Sequence, residues 1–183
     1  MSVLITLNEN SESIQYLCRK DKRLAKVISI TYWAYNDAYS FLVHEIIEQM
    51  LSVKAGAKIY GRLEGLCDGI VTPEKIDKIT DEQIKSIGTA NSKVAYIRNL
   101  TNAVLTGEIK FSELTEKTDE EVFNILISLK GIGSWTAKMY LIFMLDRQDI
   151  LPTEDVAFLQ AYEWMYSKRS ITECLSFIVK YMR

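Results

Sequence analysis

Residues 129–155 read LKGIGSWTAKMYLIFMLDRQDILPTED, and the fold turns on how that string is parsed. A helical pattern runs into it: Val122, Ile125, Leu126 and Leu129 form an apolar stripe behind a Thr118-to-Glu121 capping box. A short turn follows, with Gly131 and Gly133 flanking Ile132. Trp135 to Leu145 then carries one charge, Lys138, which is the pattern of a helix buried on most sides. Pro152-Thr153 starts another helix, with Thr153 expected as its N-cap and Asp155 in its first turn. The two glycines let the backbone take positive φ and approach a ligand with no Cβ in the way. Successive N–H groups in such a turn, at the mouth of a helix, make a concave site for a phosphate oxygen. Taken alone, the Gly-x-Gly fits a C-cap and a tight helix connection equally well.

Upstream, Phe41 to Met50 reads as a helix with Phe41, Leu42, Ile46 and Met50 on one stripe. The join Gln49-Met50-Leu51-Ser52 is short, and Ser52 can N-cap the next helix, in which Lys54 and Lys58 share a face. Periodicity leaves Met50 open between a core position and an exposed one. Thr72-Pro73 is a helix start and Thr80 to Gln83 a second capping box. Asn91-Ser92 opens a further helix with Lys93 beside its first N–H groups, a second candidate backbone contact. Residues 14–30 read as a helix, a charged turn and a second helical run. Tyr32, Trp33, Tyr35 and Tyr39 crowd one short segment, either as packing or as the aromatic wall of a base pocket. His44 is the single histidine and is expected on a helix surface, with no catalytic or metal role.

Of the 183 residues, 48% are apolar and only two are proline. Long helices are easy in such a chain and period-2 alternation is scarce, so the expected class is all-α. Cys18, Cys67 and Cys174 are far apart and form no ligand cluster, which points to a reducing compartment and to no iron–sulfur cluster. The run at Val3–Leu7 is too short for a signal peptide, and no stretch suits a membrane span; a cytoplasmic protein, nucleoid-associated if bacterial, is expected. The net charge of −2 disfavours a protein that coats nucleic acid nonspecifically. DNA affinity must then come from a few placed contacts and a pocket.

Gly131-Ile132-Gly133 with Trp135 and Asp155 resembles the signature of the helix-hairpin-helix DNA glycosylase superfamily, and the resemblance extends from about Ile14 to Tyr166. It implies a two-lobed helical fold with a DNA-binding cleft between the lobes: residues 37–136 in one, residues 1–36 and 137–183 in the other. It implies that Asp155 is catalytic, stabilising an oxocarbenium-like transition state. Members that also cut the DNA backbone hold a Lys where this chain has Trp135, and that Lys forms a Schiff base with the sugar. Trp135 instead resembles the monofunctional 3-methyladenine branch, in which aromatic side chains stack on a cationic base.

By the same resemblance Lys130, Gly131, Ile132 and Gly133 contact DNA, with a Na+ or K+ at the hairpin backbone. Gln49, Met50, Leu51 and Ser52 match the stretch that enters the DNA stack where the target base has left. Trp135, Trp33, Tyr35 and Glu45 are the candidate base pocket, Glu45 because the adenine-excising branch carries a proton donor there. The implied partner is double-stranded DNA with a damaged base; no obligate protein partner and no membrane are expected. Departures are Lys130 in place of the usual Pro and the missing Arg after Asp155. The alternatives are excision of a mismatched adenine or oxidised purine, and a binding module without catalysis.

Overall fold

The helix starts read from sequence govern the architecture. In the computed structural model, which describes residues 3–6, 12–23, 25, 31–34, 37–147 and 149–166, β1 (Val3–Thr6), α1 (Glu12–Lys20) and β2 (Thr31–Ala34) come first. Then follow α2 (Ala38–Glu48), α3 (Val53–Leu66), α4 (Pro73–Lys78), α5 (Asp81–Ser86), α6 (Asn91–Leu105), α7 (Phe111–Leu114), α8 (Asp119–Ser128), α9 (Ser134–Phe143) and α10 (Val156–Tyr166). Thr72 caps α4 by accepting from the Lys75 N–H, with Pro73 at the first position. Thr80 with Gln83 and Thr118 with Glu121 form complete capping boxes on α5 and α8. Each such cap is worth about 1 kcal/mol.

The protein is helical, as its composition requires, with one addition: β1 and β2 pair antiparallel, Leu4 opposite Trp33 and Thr6 opposite Thr31. Tyr32 and Trp33 therefore lie on a strand. Four-residue strands leave too little alternation to register in a sequence scan.

The chain divides into two compact units. The first contains residues 35–150. Its central helix is α2, which buries Phe41, Leu42, Val43, Ile46 and Ile47 completely or nearly so. Leu63, Ile76, Ile84, Ile97, Leu100, Val122 and Leu126 surround it, and Ala137, Tyr140 and Leu141 of α9 close the core. The unit boundary expected near residue 136 lies instead after Ile150, because α9 packs on α2 and α8 along its length. Arg147 reinforces this: its guanidinium donates to the Thr115 and Lys117 carbonyls and pairs with Asp119 at 3.3 Å.

The second unit contains residues 3–34 and 151–183. Within it the Tyr166 hydroxyl donates to Asp21 at 2.8 Å, and the Arg23 guanidinium stands over the Tyr166 ring. Residues 167–183, whose sequence pattern reads as an amphipathic helix, fall outside the described residues. No helix among the described residues is long and apolar enough to cross a membrane.

Candidate functional site

The hairpin is built by α8, the turn at 129–133 and α9. Ile132 anchors the turn, its side chain 5% exposed in the core and its N–H donating to the Leu129 carbonyl at 3.0 Å. That amide is therefore not offered outward, contrary to the expectation that all three residues of the turn present theirs. The Gly131 and Gly133 N–H groups have no partner among the described residues. The Lys130 N–H is held at 3.2 Å by the Asn99 side-chain oxygen, and the Lys130 residue is exposed.

The two glycines differ. Gly131 takes φ +99°, and a Cβ there would run into the Cβ, Cγ and Cδ2 atoms of Tyr96. Gly133 lies at φ −96°, ψ 176°, as the N-cap residue of α9, and a Cβ there meets nothing within 4 Å. Only Gly131 needs glycine for a left-handed backbone; the expectation of that need at Gly133 is corrected. From the end of α2, the Gln49 side-chain amide donates to the Gly131 carbonyl at 2.8 Å.

Gln49 ends α2, and the residue after it is unusual. Met50 has φ +59° and is 101% exposed. A non-glycine residue in that region carries about 1 kcal/mol or more of strain. Leu51 at 41% and Val53 at 77% exposure continue the apolar tip, and Ser52 caps α3 as expected by accepting the Ala55 N–H. Burial does not explain this run. The core alternative for Met50 is excluded by its exposure.

Lys93 does not point outward. Its ammonium donates to the carbonyls of Ile47 and Gln49 at 2.7 and 2.6 Å, while burial alone lowers its pKa. The expected phosphate contact is thus an internal clamp on the last turn of α2. His44 is also less exposed than expected: it stands 3.8 Å from Glu45 and 3.5 Å from Glu48, edge-on to the Tyr60 ring. Glu45 is 9% exposed. Partial burial is the first cause of the raised Glu48 pKa, and His44 opposes it.

Trp135 occupies the first turn of α9, half-buried against the core. Of the other aromatic candidates, the Trp33 backbone lies on β2, its side chain is not described, and Tyr35 lies outside the described residues. Asp155 belongs to the second unit and has a sharper local role than expected. It is itself the N-cap of α10, its Oδ1 accepting the Phe158 N–H at 2.6 Å and its carbonyl the Leu159 N–H. Thr153, expected as the cap, instead donates its hydroxyl to Glu154. A turn closed by the Pro152 carbonyl and the Asp155 N–H at 3.0 Å displaces the helix start by two residues.

The contacts of Lys93, Tyr96 and Asn99 carry no motif; only their spacing along one face of α6 could have signalled them.

Residues 43–174 match the family model described as HhH-GPD superfamily base excision DNA repair protein. The chain is 29% identical over 133 residues to DNA-3-methyladenine glycosylase 1 of Schizosaccharomyces pombe, covering 71% of this chain and 58% of that protein. It is 31% identical over 121 residues to the alkylbase DNA glycosidase-like protein mag2 of the same organism, covering 64% and 57%. The chain thus spans somewhat over half the length of these curated relatives. Among solved structures, DNA-3-methyladenine glycosidase from Bacillus halodurans superposes with a TM-score of 0.81 at 29% identity, over 97% of this chain and 84% of that one. The 3-methyladenine DNA glycosylase of Schizosaccharomyces pombe, solved with abasic DNA, gives 0.69 at 27% identity, over 80% and 72%. The match over residues 43–174 takes in the second half of α2, the hairpin, Trp135 and Asp155, and the chain belongs to the HhH-GPD superfamily of base excision DNA repair proteins.

Proposed function

We propose that this chain is a monofunctional DNA glycosylase that hydrolytically removes alkylated purines such as 3-methyladenine from double-stranded DNA. The observation that carries this reading is Trp135 at the start of α9, where strand-cleaving members hold an amine. An indole can form no Schiff base, so the reaction stops at base release. Its ring favours a cationic purine over a neutral one by about 0.5–2 kcal/mol. The names of the relatives, 3-methyladenine glycosylases in fission yeast and budding yeast, support the same lesion class.

Three parts of the chain share the work. The Gly131 and Gly133 amides take a phosphate, and Lys130 adds a cation beside it. A Na+ or K+ at the hairpin would be held by the Leu129 and Gly131 carbonyls, each of which already accepts one N–H, and would add positive charge at that phosphate. Met50 and Leu51 fill the space left by the flipped nucleotide, as apolar side chains can. Asp155 stabilises the positive charge that develops on the sugar as the glycosidic bond breaks and its electron pair leaves with the base. Water then adds to C1′ and loses a proton. An alkylated purine is already a good leaving group, so no strong acid is required.

The test is release of free base from methylated duplex DNA, with strand integrity followed in the same reaction. Free base with intact strands and no borohydride-trapped complex is expected; a trapped complex would overturn the monofunctional assignment, and DNA binding without release would leave a binding module. Excision of mismatched adenine or an oxidised purine is the second reading, favoured by one observation: Glu45 is buried beside His44. A panel of defined lesions separates the two.

A further inference from the structure

The clamp from α6 reaches two turns of the first unit, the one after Glu48 and the hairpin turn. Lys93 holds the Ile47 and Gln49 carbonyls, which end α2 and have no partner within the helix. The Tyr96 ring lies under Gly131, and Asn99 holds the Lys130 N–H. Gln49 closes the loop by donating to the Gly131 carbonyl. Lys93, Tyr96 and Asn99 recur every three residues, so one face of one helix braces the wedge turn and the hairpin turn together. Met50 itself is fully exposed, so its side chain supplies nothing that would hold its left-handed backbone. The turn around it is closed by the Leu51 N–H donating to the Glu48 carbonyl at 2.9 Å, and the Gln49 carbonyl, on the peptide that leads into Met50, is the group Lys93 fixes.

We propose that Lys93 is a positioning residue that holds Met50 in the geometry for entering the DNA stack and ties that entry to the hairpin's grip on the phosphate. This rests on the glycosylase reading above but is tested without the chemistry. Two of the three ammonium protons of Lys93 are engaged by carbonyls, which argues against a phosphate contact.

The experiment uses a duplex with 2-aminopurine beside a tetrahydrofuran abasic analogue, whose fluorescence rises when the stack is entered. Wild type should give the rise and Met50→Ala should lose it. Lys93→Met should bind the duplex within roughly threefold of wild type yet lose most of the rise, about fivefold or more, because displacement of a positioned group by ~1 Å has large effects. Lys93→Arg, which keeps a cation at the two carbonyls, should recover much of the rise. If Lys93→Met does not fold, Lys93→Gln, which reaches one carbonyl only, carries the same expectation. A folded Lys93→Met or Lys93→Gln with the full rise overturns the proposal. So does a Lys93→Met whose defect is lost affinity with a salt slope shallower by about one, the mark of a phosphate contact. A wild-type protein that binds without any rise overturns it too. Base release, measured separately, decides the glycosylase reading.

Discussion

Among the residues of the first unit that take a positive φ, two reach the left-handed region for opposite reasons. At the hairpin the residue is Gly131, φ +99°, and both its backbone angle and the Tyr96 ring beneath it exclude a side chain. Folding alone accounts for that glycine. At the end of α2 the residue is Met50, φ +59°, with a long apolar side chain wholly in solvent. Folding would be served better there by glycine, which reaches φ > 0 without strain. A residue that the local structure demands says little about function. One that the local structure tolerates at a cost points outward, to whatever the side chain meets.

Asp155, a cap that Asn could equally supply, and Gly133, where a Cβ meets nothing, are likewise not dictated by folding as Gly131 is, and the variants that sharpen the comparison can be ranked. The largest effect is expected from Asp155→Asn. Asn caps a helix as well as Asp, so α10 should keep its start and stability should hardly change. On the proposed mechanism, what is lost is a negative charge beside the developing sugar cation, roughly 4 kcal/mol at ~4 Å and an effective dielectric of about 20. At ~1.4 kcal/mol per tenfold, single-turnover excision should fall about a thousandfold. A folded, DNA-binding Asp155→Asn that excises at near wild-type rate would show that Asp155 is only a cap.

Gly131→Ala comes next and should act on folding: the clash with Tyr96 and the positive φ together cost about 3 kcal/mol, read as a drop in denaturant midpoint. An unchanged midpoint would break the comparison at its firmer end. Gly133→Val should do the reverse. Its φ of −96° suits any residue and a Cβ meets nothing, so stability should hold. DNA affinity should fall by about tenfold or more as the side chain keeps a phosphate from the amide. The log–log salt slope of wild type should be roughly −2 to −4, the release expected from ~2–4 phosphates. A much steeper slope would reveal a broad basic surface. The smallest effect on stability is expected from Met50→Gly, a gain of up to about 1 kcal/mol from relieved strain. The same variant should lose the 2-aminopurine response; if it keeps that response, Met50 is not the wedge.

The helical class, the capping boxes at Thr80 and Thr118 and the hairpin string were all legible because each is a local signal, carried by residues within one or two turns of one another. The split of the chain was harder. Helix α9 is apolar enough to suit a hinge, yet which neighbours cover it is decided by α2 and α8, distant in sequence. The cap of α10 shifted from Thr153 to Asp155 because the Pro152 turn consumes the residues that would have opened the helix. Lys93 misled for a related reason: a lysine beside a helix start looks like a free cation until the end of another helix is packed against it.

By itself, the amino-acid sequence determined that the protein is helical, where most of its helices begin, and that a Gly-x-Gly hairpin is followed by Trp135 and Asp155. These follow from side-chain chemistry acting over a few residues, through caps, periodicity and backbone freedom. Only the tertiary structure decided that Met50 is exposed and strained, that Gly131 and not Gly133 is sterically required, and that α6 braces both turns. Those depend on contacts across tens of residues of chain, such as Gln49 with Gly131 and Lys93 with Ile47. A side chain's periodicity says which face it is on; what that face meets is settled only when the other helices arrive.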